Sequence, residues 1–134
     1  MKKISLAGCV FIEDDRILLI KRISTGWYEL PGGKIEEGET PEITAVREIK
    51  EELSTDVKLI YKLGEKDFDE GGRTMSYTWF QARFNSNQEP SIGEPDKFNE
   101  IKYIRFNELS QCKLSPNMEN FLQEYNSGNI KLII

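Results

Sequence analysis

The chain has 134 residues, 38% of them hydrophobic and 31% charged, with a formal charge of −5 and no histidine. That length suits one domain, residues 1–134, around one core, and the missing histidine removes Ser-His-Asp and Cys-His catalysis and His-ligated zinc. The acidic balance argues against a nucleic-acid surface, which needs Lys and Arg, but admits a small phosphorylated ligand held through a metal ion.

The basic start Met1-Lys2-Lys3 runs straight into strand-like alternation without a small-residue cleavage site, and no apolar run is long enough to span a bilayer. A cytoplasmic protein without membrane partners is expected. Residues 4–12 read as a strand, Glu13-Asp14-Asp15 as a turn, and residues 16–22 as the hairpin partner. Cys9 lies in the first apolar run, where a buried reduced thiol is expected. After the loop Ser24-Thr25-Gly26, residues 27–30 form a short strand that Pro31-Gly32-Gly33 ends.

A helix starts after Thr40: Thr40 suits the N-cap, Pro41 the first helical position, and Glu42 the positive end of the dipole. Residues 57–63 and 74–84 read as strands joined through Gly71-Gly72, and residues 101–106 as another. Ser115-Pro116 opens a last helix to about Tyr125, with Gly128 as its stop. Strands mixed with helices rather than strictly alternating predict an α/β fold with a mixed sheet and helices packed on it.

The chemistry concentrates between Gly32 and Glu52. At about 100° per residue, Ile43, Val46, Ile49 and Leu53 share one side of the helix and are expected to face the core. Glu48, Glu51 and Glu52 gather on the opposite side, spaced i, i+3 and i+4. Three carboxylates on one face repel one another unless a hard cation joins them, and Mg²⁺ is commonly shared between carboxylates and substrate phosphates. The glycine-rich loop before the helix lets backbone approach closely, so the Gly33 carbonyl is a further oxygen ligand candidate. Arg47 can pair with Glu51 four residues on, and Glu39 is another candidate partner.

Gly33, five residues, Glu39, seven residues, then Arg47-Glu48-Ile49-Lys50-Glu51-Glu52 resembles the signature of the Nudix hydrolases. The resemblance implies an α/β/α sandwich with a mixed sheet. It also implies Mg²⁺-dependent hydrolysis (Mn²⁺ being the alternative ion) of a nucleoside diphosphate linked to another group. It casts Glu48 and Glu52 as metal ligands, Glu51 as ligand or base-side partner, and Arg47 and Glu39 as members of the catalytic set. A further acidic ligand from a distant segment is expected, with Glu100 the first candidate and Glu94 and Asp96 the alternatives; an exposed loop glutamate is the other reading of Glu100. The chain departs from the signature after Leu53, where Ser54-Thr55 replaces a glycine and an aliphatic residue. Serine there either bears left-handed strain of about 1 kcal/mol or exits the helix differently.

Outside the signature, the chain is similar to the compact family members that convert an NTP or oxidised dNTP to a monophosphate and pyrophosphate. A small nucleotide is thus the expected partner of a monomer or homodimer. Hydrolysis of ADP-ribose or a dinucleoside polyphosphate, or a non-catalytic nucleotide-sensing role, are the alternatives. The substrate-binding candidates are Ile4, Leu6, Arg22, Leu30, Tyr77, Trp79 and Asn117. Tyr77 and Trp79 share a strand face and could stack a base or fill the core. Asn117 could read a base edge or be simply a first-turn helix residue.

Overall fold

A computed structural model describes residues 3–133; Met1 and Lys2, part of the basic start noted above, and Ile134 lie outside the described residues. Eight strands and two α-helices follow in the order β1 Lys3–Val10, β2 Ile12–Glu13, β3 Arg16–Arg22, β4 Tyr28–Glu29, β5 Gly32–Lys34, α1 Pro41–Leu53, β6 Val57–Glu70, β7 Arg73–Phe84, β8 Phe98–Arg105 and α2 Pro116–Asn126. A 3₁₀ helix, Phe106–Gln111, joins β8 to the approach to α2.

One sheet runs β5-β1-β7-β6, with β1 parallel to β7 and the other pairs antiparallel. A second, antiparallel sheet runs β2-β3-β4, with β8 on β3. Alternation along the strands sends side chains to two cores. Ala7, Cys9, Leu18, Ile20 and Phe80 pack with Ala45, Ile49 and Leu53 of α1. Val10, Ile17, Leu19, Tyr77 and Trp79 pack with Met118 and Phe121 of α2. The result is an α/β/α sandwich with a mixed sheet, as expected. Cys9 is a buried free thiol.

Three expectations need correction. First, β1 is not the hairpin partner of β3: only Ile12 and Glu13 pair across the turn, while β1 lies in the other sheet. The chain changes sheets at Phe11, and two-residue alternation reads the same in either. Second, Pro31-Gly32-Gly33 ends β4 as expected, but its glycines open a further strand that the sequence reading left out. Gly32 pairs with Gly8 in β5 against β1, and the Tyr77 hydroxyl packs over both, so a methyl on either would overlap it. Third, β6 runs on to Glu70 rather than stopping at 63. Two register shifts interrupt its first half, between Leu59 and Tyr61 and between Lys62 and Gly64, and its second half is so charged that no apolar alternation marks it. The main-chain ladder to β7 holds it instead, closed by Gly71 and Gly72 at positive φ.

Helix α1 begins as expected: the Thr40 side chain accepts the Ile43 N–H, and Pro41 sits in the first turn. Its buried arc is Thr44, Ala45, Ile49, Glu52 and Leu53, whereas Ile43 is 53% and Val46 37% exposed. The helix is rotated from the expected orientation, bringing the glutamate side inward against β5. At its other end Ser54 takes the left-handed conformation, φ 55° and ψ 34°, and donates its N–H to Lys50 O at 3.1 Å. Ser54→Gly is therefore expected to raise stability by about 1 kcal/mol, measured by chemical denaturation. A lower midpoint would mean that the serine side chain holds more than its backbone strain costs.

Candidate active site

The glutamates of α1, the β5 backbone, the β6–β7 hairpin and the start of α2 surround a cavity of about 540 Å³. Seven glutamates and four basic side chains line it, so its lining is acidic. Glu52 is only 4% exposed. Its carboxylate accepts the Gly32 N–H at 2.8 Å and pairs with no basic side chain among the described residues. Burial, then the neighbouring charge of Glu48, push its carboxyl well above the ordinary carboxylate range. Glu48 is raised as well, burial being the main cause. The Gly33 backbone lies so close to the Glu48 carboxylate that any β-carbon would overlap it. That proximity explains glycine at position 33: the loop must pass directly over a carboxylate.

Arg47 binds the acidic groups together. Its Nε and Nη2 form a fork on Glu39 at 2.7 and 3.0 Å. Nη1 donates to Glu48 at 3.0 Å and Glu51 at 2.9 Å, and Nη2 also donates to Lys34 O at 3.1 Å. Glu39 is held in turn by the Glu36 N–H and by the hydroxyl of buried Thr44, at 3.0 and 2.8 Å. The Arg47 bonds, with the backbone bond from Glu36, hold the Glu39 carboxyl down at about 2. Reciprocally, the Glu39 bonds push the Arg47 guanidinium up. Both partners expected for Arg47 are thus present, and Glu48 is an additional one.

Leu6, Arg22, Leu30, Tyr77 and Asn117 line the same cavity. Ile4 and Trp79 do not. Trp79 is fully buried, edge-on to Phe121 at 5.6 Å, so the stacking role expected for it gives way to the core. The candidate ligand Glu100 is also misplaced: its residue is outside the cavity lining, and its carboxylate accepts the Tyr28 hydroxyl at 2.5 Å. That bond pushes the Tyr28 phenol up to about 12. The alternative, Glu94, lines the cavity. Its loop is fastened to the end of α1 by the Ser91 and Gly93 N–H groups, which donate to Leu53 O and Glu52 O at 2.9 Å each.

Several lining residues were missed from the sequence. Phe68 and Met75, paired across the hairpin, form an apolar wall at the cavity. Their signal was hidden by the charged second half of β6. Glu29 takes a fork from Arg22 at 2.6 and 3.0 Å and the Trp27 indole N–H at 2.8 Å. Arg22 also lies 4.8 Å from the Phe98 ring centroid. Arg22 and Glu29 lie on adjacent strands rather than on one helix, so the β3–β4 pairing brings them together. The start of α2 is placed by β4: Tyr28 N–H donates to Lys113 O at 2.8 Å, and Ser115 N–H to Tyr28 O at 3.0 Å.

A family model for the NUDIX domain matches residues 2–125. The chain is 33% identical over 106 residues to the 8-oxo-dGTP diphosphatase of Escherichia coli (strain K12), covering 73% of this chain and 81% of that protein. It is 34% identical over 119 residues to the ADP-ribose pyrophosphatase of Methanocaldococcus jannaschii, covering 84% of this chain and 67% of that protein. A shorter match, 44% identical over 59 residues, spans 44% of this chain and 38% of a MutT-like protein of Streptomyces ambofaciens. The fold is similar to the crystal structure of a MutT NUDIX hydrolase from Burkholderia pseudomallei, with a TM-score of 0.82, 29% identity, and 92% of this chain and 98% of that one covered.

Proposed function

The chain belongs to the NUDIX family of hydrolases, and from that premise we propose that it converts a nucleoside triphosphate, oxidised dNTPs included, to a monophosphate and pyrophosphate with Mg²⁺. One observation carries the reading. Glu48 and Glu52 meet beside the Gly32-Gly33 backbone, and Glu52 is a buried carboxylate without a basic partner among the described residues. Ionising a carboxyl buried in that way needs a cation beside it.

The donors fit a hard divalent ion, being carboxylate and carbonyl oxygens throughout. Glu48, Glu52 and the Gly33 carbonyl would hold it, with Glu94 as the contribution from the distant loop. Among the described residues no three His, Cys, Asp or Glu side chains already converge into an ion-binding group. When bound, magnesium supplies positive charge to the phosphate oxygens in line displacement at phosphorus.

The chain's own residues do the rest. Arg47 holds Glu39, Glu48 and Glu51 in one arrangement. Of Glu48, Glu51 and Glu52, Glu51 is the most exposed, its side chain 45% exposed, and it takes a proton from the attacking water. The water oxygen forms the new bond to phosphorus, and the bridging oxygen leaves with the pyrophosphate. Lys34 and Lys97, at the cavity wall, meet the charge of the phosphate chain. Leu6, Phe68, Met75 and Tyr77 give the base an apolar seat, and Asn117 stands at its polar edge.

Incubation with a panel of nucleotides, ADP-ribose and Mg²⁺, resolved by phosphorus NMR, tests the reading. Triphosphates should yield monophosphate and pyrophosphate. Release of AMP and ribose phosphate from ADP-ribose alone would overturn the triphosphate assignment. Glu94→Gln is expected to raise the Mg²⁺ requirement by roughly tenfold to a hundredfold, while Glu100→Gln leaves it unchanged. Equal effects in a magnesium titration would remove Glu94 from the site.

A further inference from the structure

We infer that the chain's departure from the signature at Ser54-Thr55 is a clamp that positions Glu94. Thr55, acting through Gln88, holds the loop of residues 85–97 as a cap on the end of α1, so that Glu94 and the helix glutamates keep one arrangement. The inference rests on Glu94 as an ion ligand and adds the residues that place it.

A helix leaves its last carbonyls without partners of its own. In α1 the left-handed Ser54 fills Lys50 O, and the chain then turns away. Glu52 O and Leu53 O are filled from the distant loop instead, by the N–H groups of Gly93 and Ser91 at 2.9 Å each. The Gly93 backbone comes so close that a β-carbon there would overlap Glu51 O and lie 2.8 Å from Ser54 Oγ. Glycine at 93 therefore lets the loop reach the helix end, and the next residue is Glu94.

Thr55 locks this contact. It is 2% exposed, and a hydroxyl buried that far is costly without a partner. It donates to Gln88 Oε1, which also accepts the Asp56 N–H at 2.8 Å. Gln88 is exposed, so these two bonds, rather than packing, hold it. On the other side Glu94 O accepts the Lys97 and Phe98 N–H groups at 2.9 and 3.1 Å, which joins the loop to β8. Glu94 thus stands between two anchored points. Its carboxylate has little else to fix it, since Lys97 Nζ at 3.4 Å is its one ion-pair partner among the described residues.

An aliphatic residue at 55, as the signature has it, would fill the same space without the bond to Gln88. Neither Thr55 nor Gln88 lines the cavity. Thr55 is therefore a positioning residue that acts on the ion through Gln88 and Glu94.

The test measures Mn²⁺ binding to the full chain by calorimetry, without nucleotide, and hydrogen exchange at the Ser91 and Gly93 amides. Thr55→Val keeps the shape and loses the hydroxyl; it should weaken Mn²⁺ binding by about tenfold and speed exchange at both amides. Thr55→Ser, which restores a hydroxyl, should bring both back. Gln88→Ala removes the acceptor at an exposed position and should match Thr55→Val, a comparison that stands even if valine at 55 harms the fold. Glu94→Gln should weaken the ion at least as much. The double variant Thr55→Val with Glu94→Gln should bind no more weakly than Glu94→Gln alone, because the clamp works through Glu94. Losses that add in the double variant overturn the proposal. So does unchanged Mn²⁺ affinity in Thr55→Val and Gln88→Ala while Glu94→Gln loses it. Unchanged affinity in Glu94→Gln would instead remove Glu94 from the ion site, and the clamp's role with it.

Discussion

Glu52→Gln is expected to keep the fold and lower turnover on the order of a thousandfold or more. Glutamine retains a carbonyl oxygen that can accept the Gly32 N–H, now bonded at 2.8 Å, so the junction between α1 and β5 survives. What disappears is the charge. In the free protein that charge is unfavourable, because burial and Glu48 both oppose it, so the variant should melt at the same temperature as the natural protein or higher. The opposed signs, stability held or gained and turnover lost, distinguish a functional carboxylate from a structural one. Glu48→Gln should lower turnover in the same way. Near-normal rates for both variants at saturating Mg²⁺, beside unchanged melting curves, would remove the two carboxylates from the mechanism.

Arg47→Lys should reduce kcat on the order of a hundredfold. The guanidinium spans Glu39, Glu48, Glu51 and the Lys34 carbonyl at once. An ammonium is a single point of charge and cannot hold the Glu39 fork together with the other three. Charge is conserved in the substitution, so any loss reports geometry rather than net electrostatics. The effect should fall on kcat and on Mg²⁺ affinity, with KM for the nucleotide little changed. A rise in KM alone would show that Arg47 serves substrate directly.

The carboxylate helix was legible because its information is local. Thr40, Pro41 and Glu42 mark where α1 starts, and the i, i+3, i+4 glutamates follow from helical geometry. The spacing from Gly33 through Glu39 to Arg47 was equally local and carried the family resemblance. Even so, the helix's rotation was misread. Amphipathic reasoning puts Ile43 and Val46 inward and charges outward, but a site needing desolvated carboxylates reverses that preference along one stripe.

The sequence by itself determined the family signature, the capped starts of both helices, the strand composition and the glutamate stripe of α1, since each is read from one short stretch of chain. Tertiary structure alone decided that β1 and β3 enter different sheets, that Glu94 rather than Glu100 lines the cavity, and that the buried Trp79 indole donates to Asn117. Those outcomes depend on partners distant in the chain, Trp79 and Asn117 being 38 residues apart. Hydrophobic periodicity says that a side chain will be buried, not which neighbour it meets. That neighbour is selected only when both sheets and both helices close together and every buried N–H must find its acceptor.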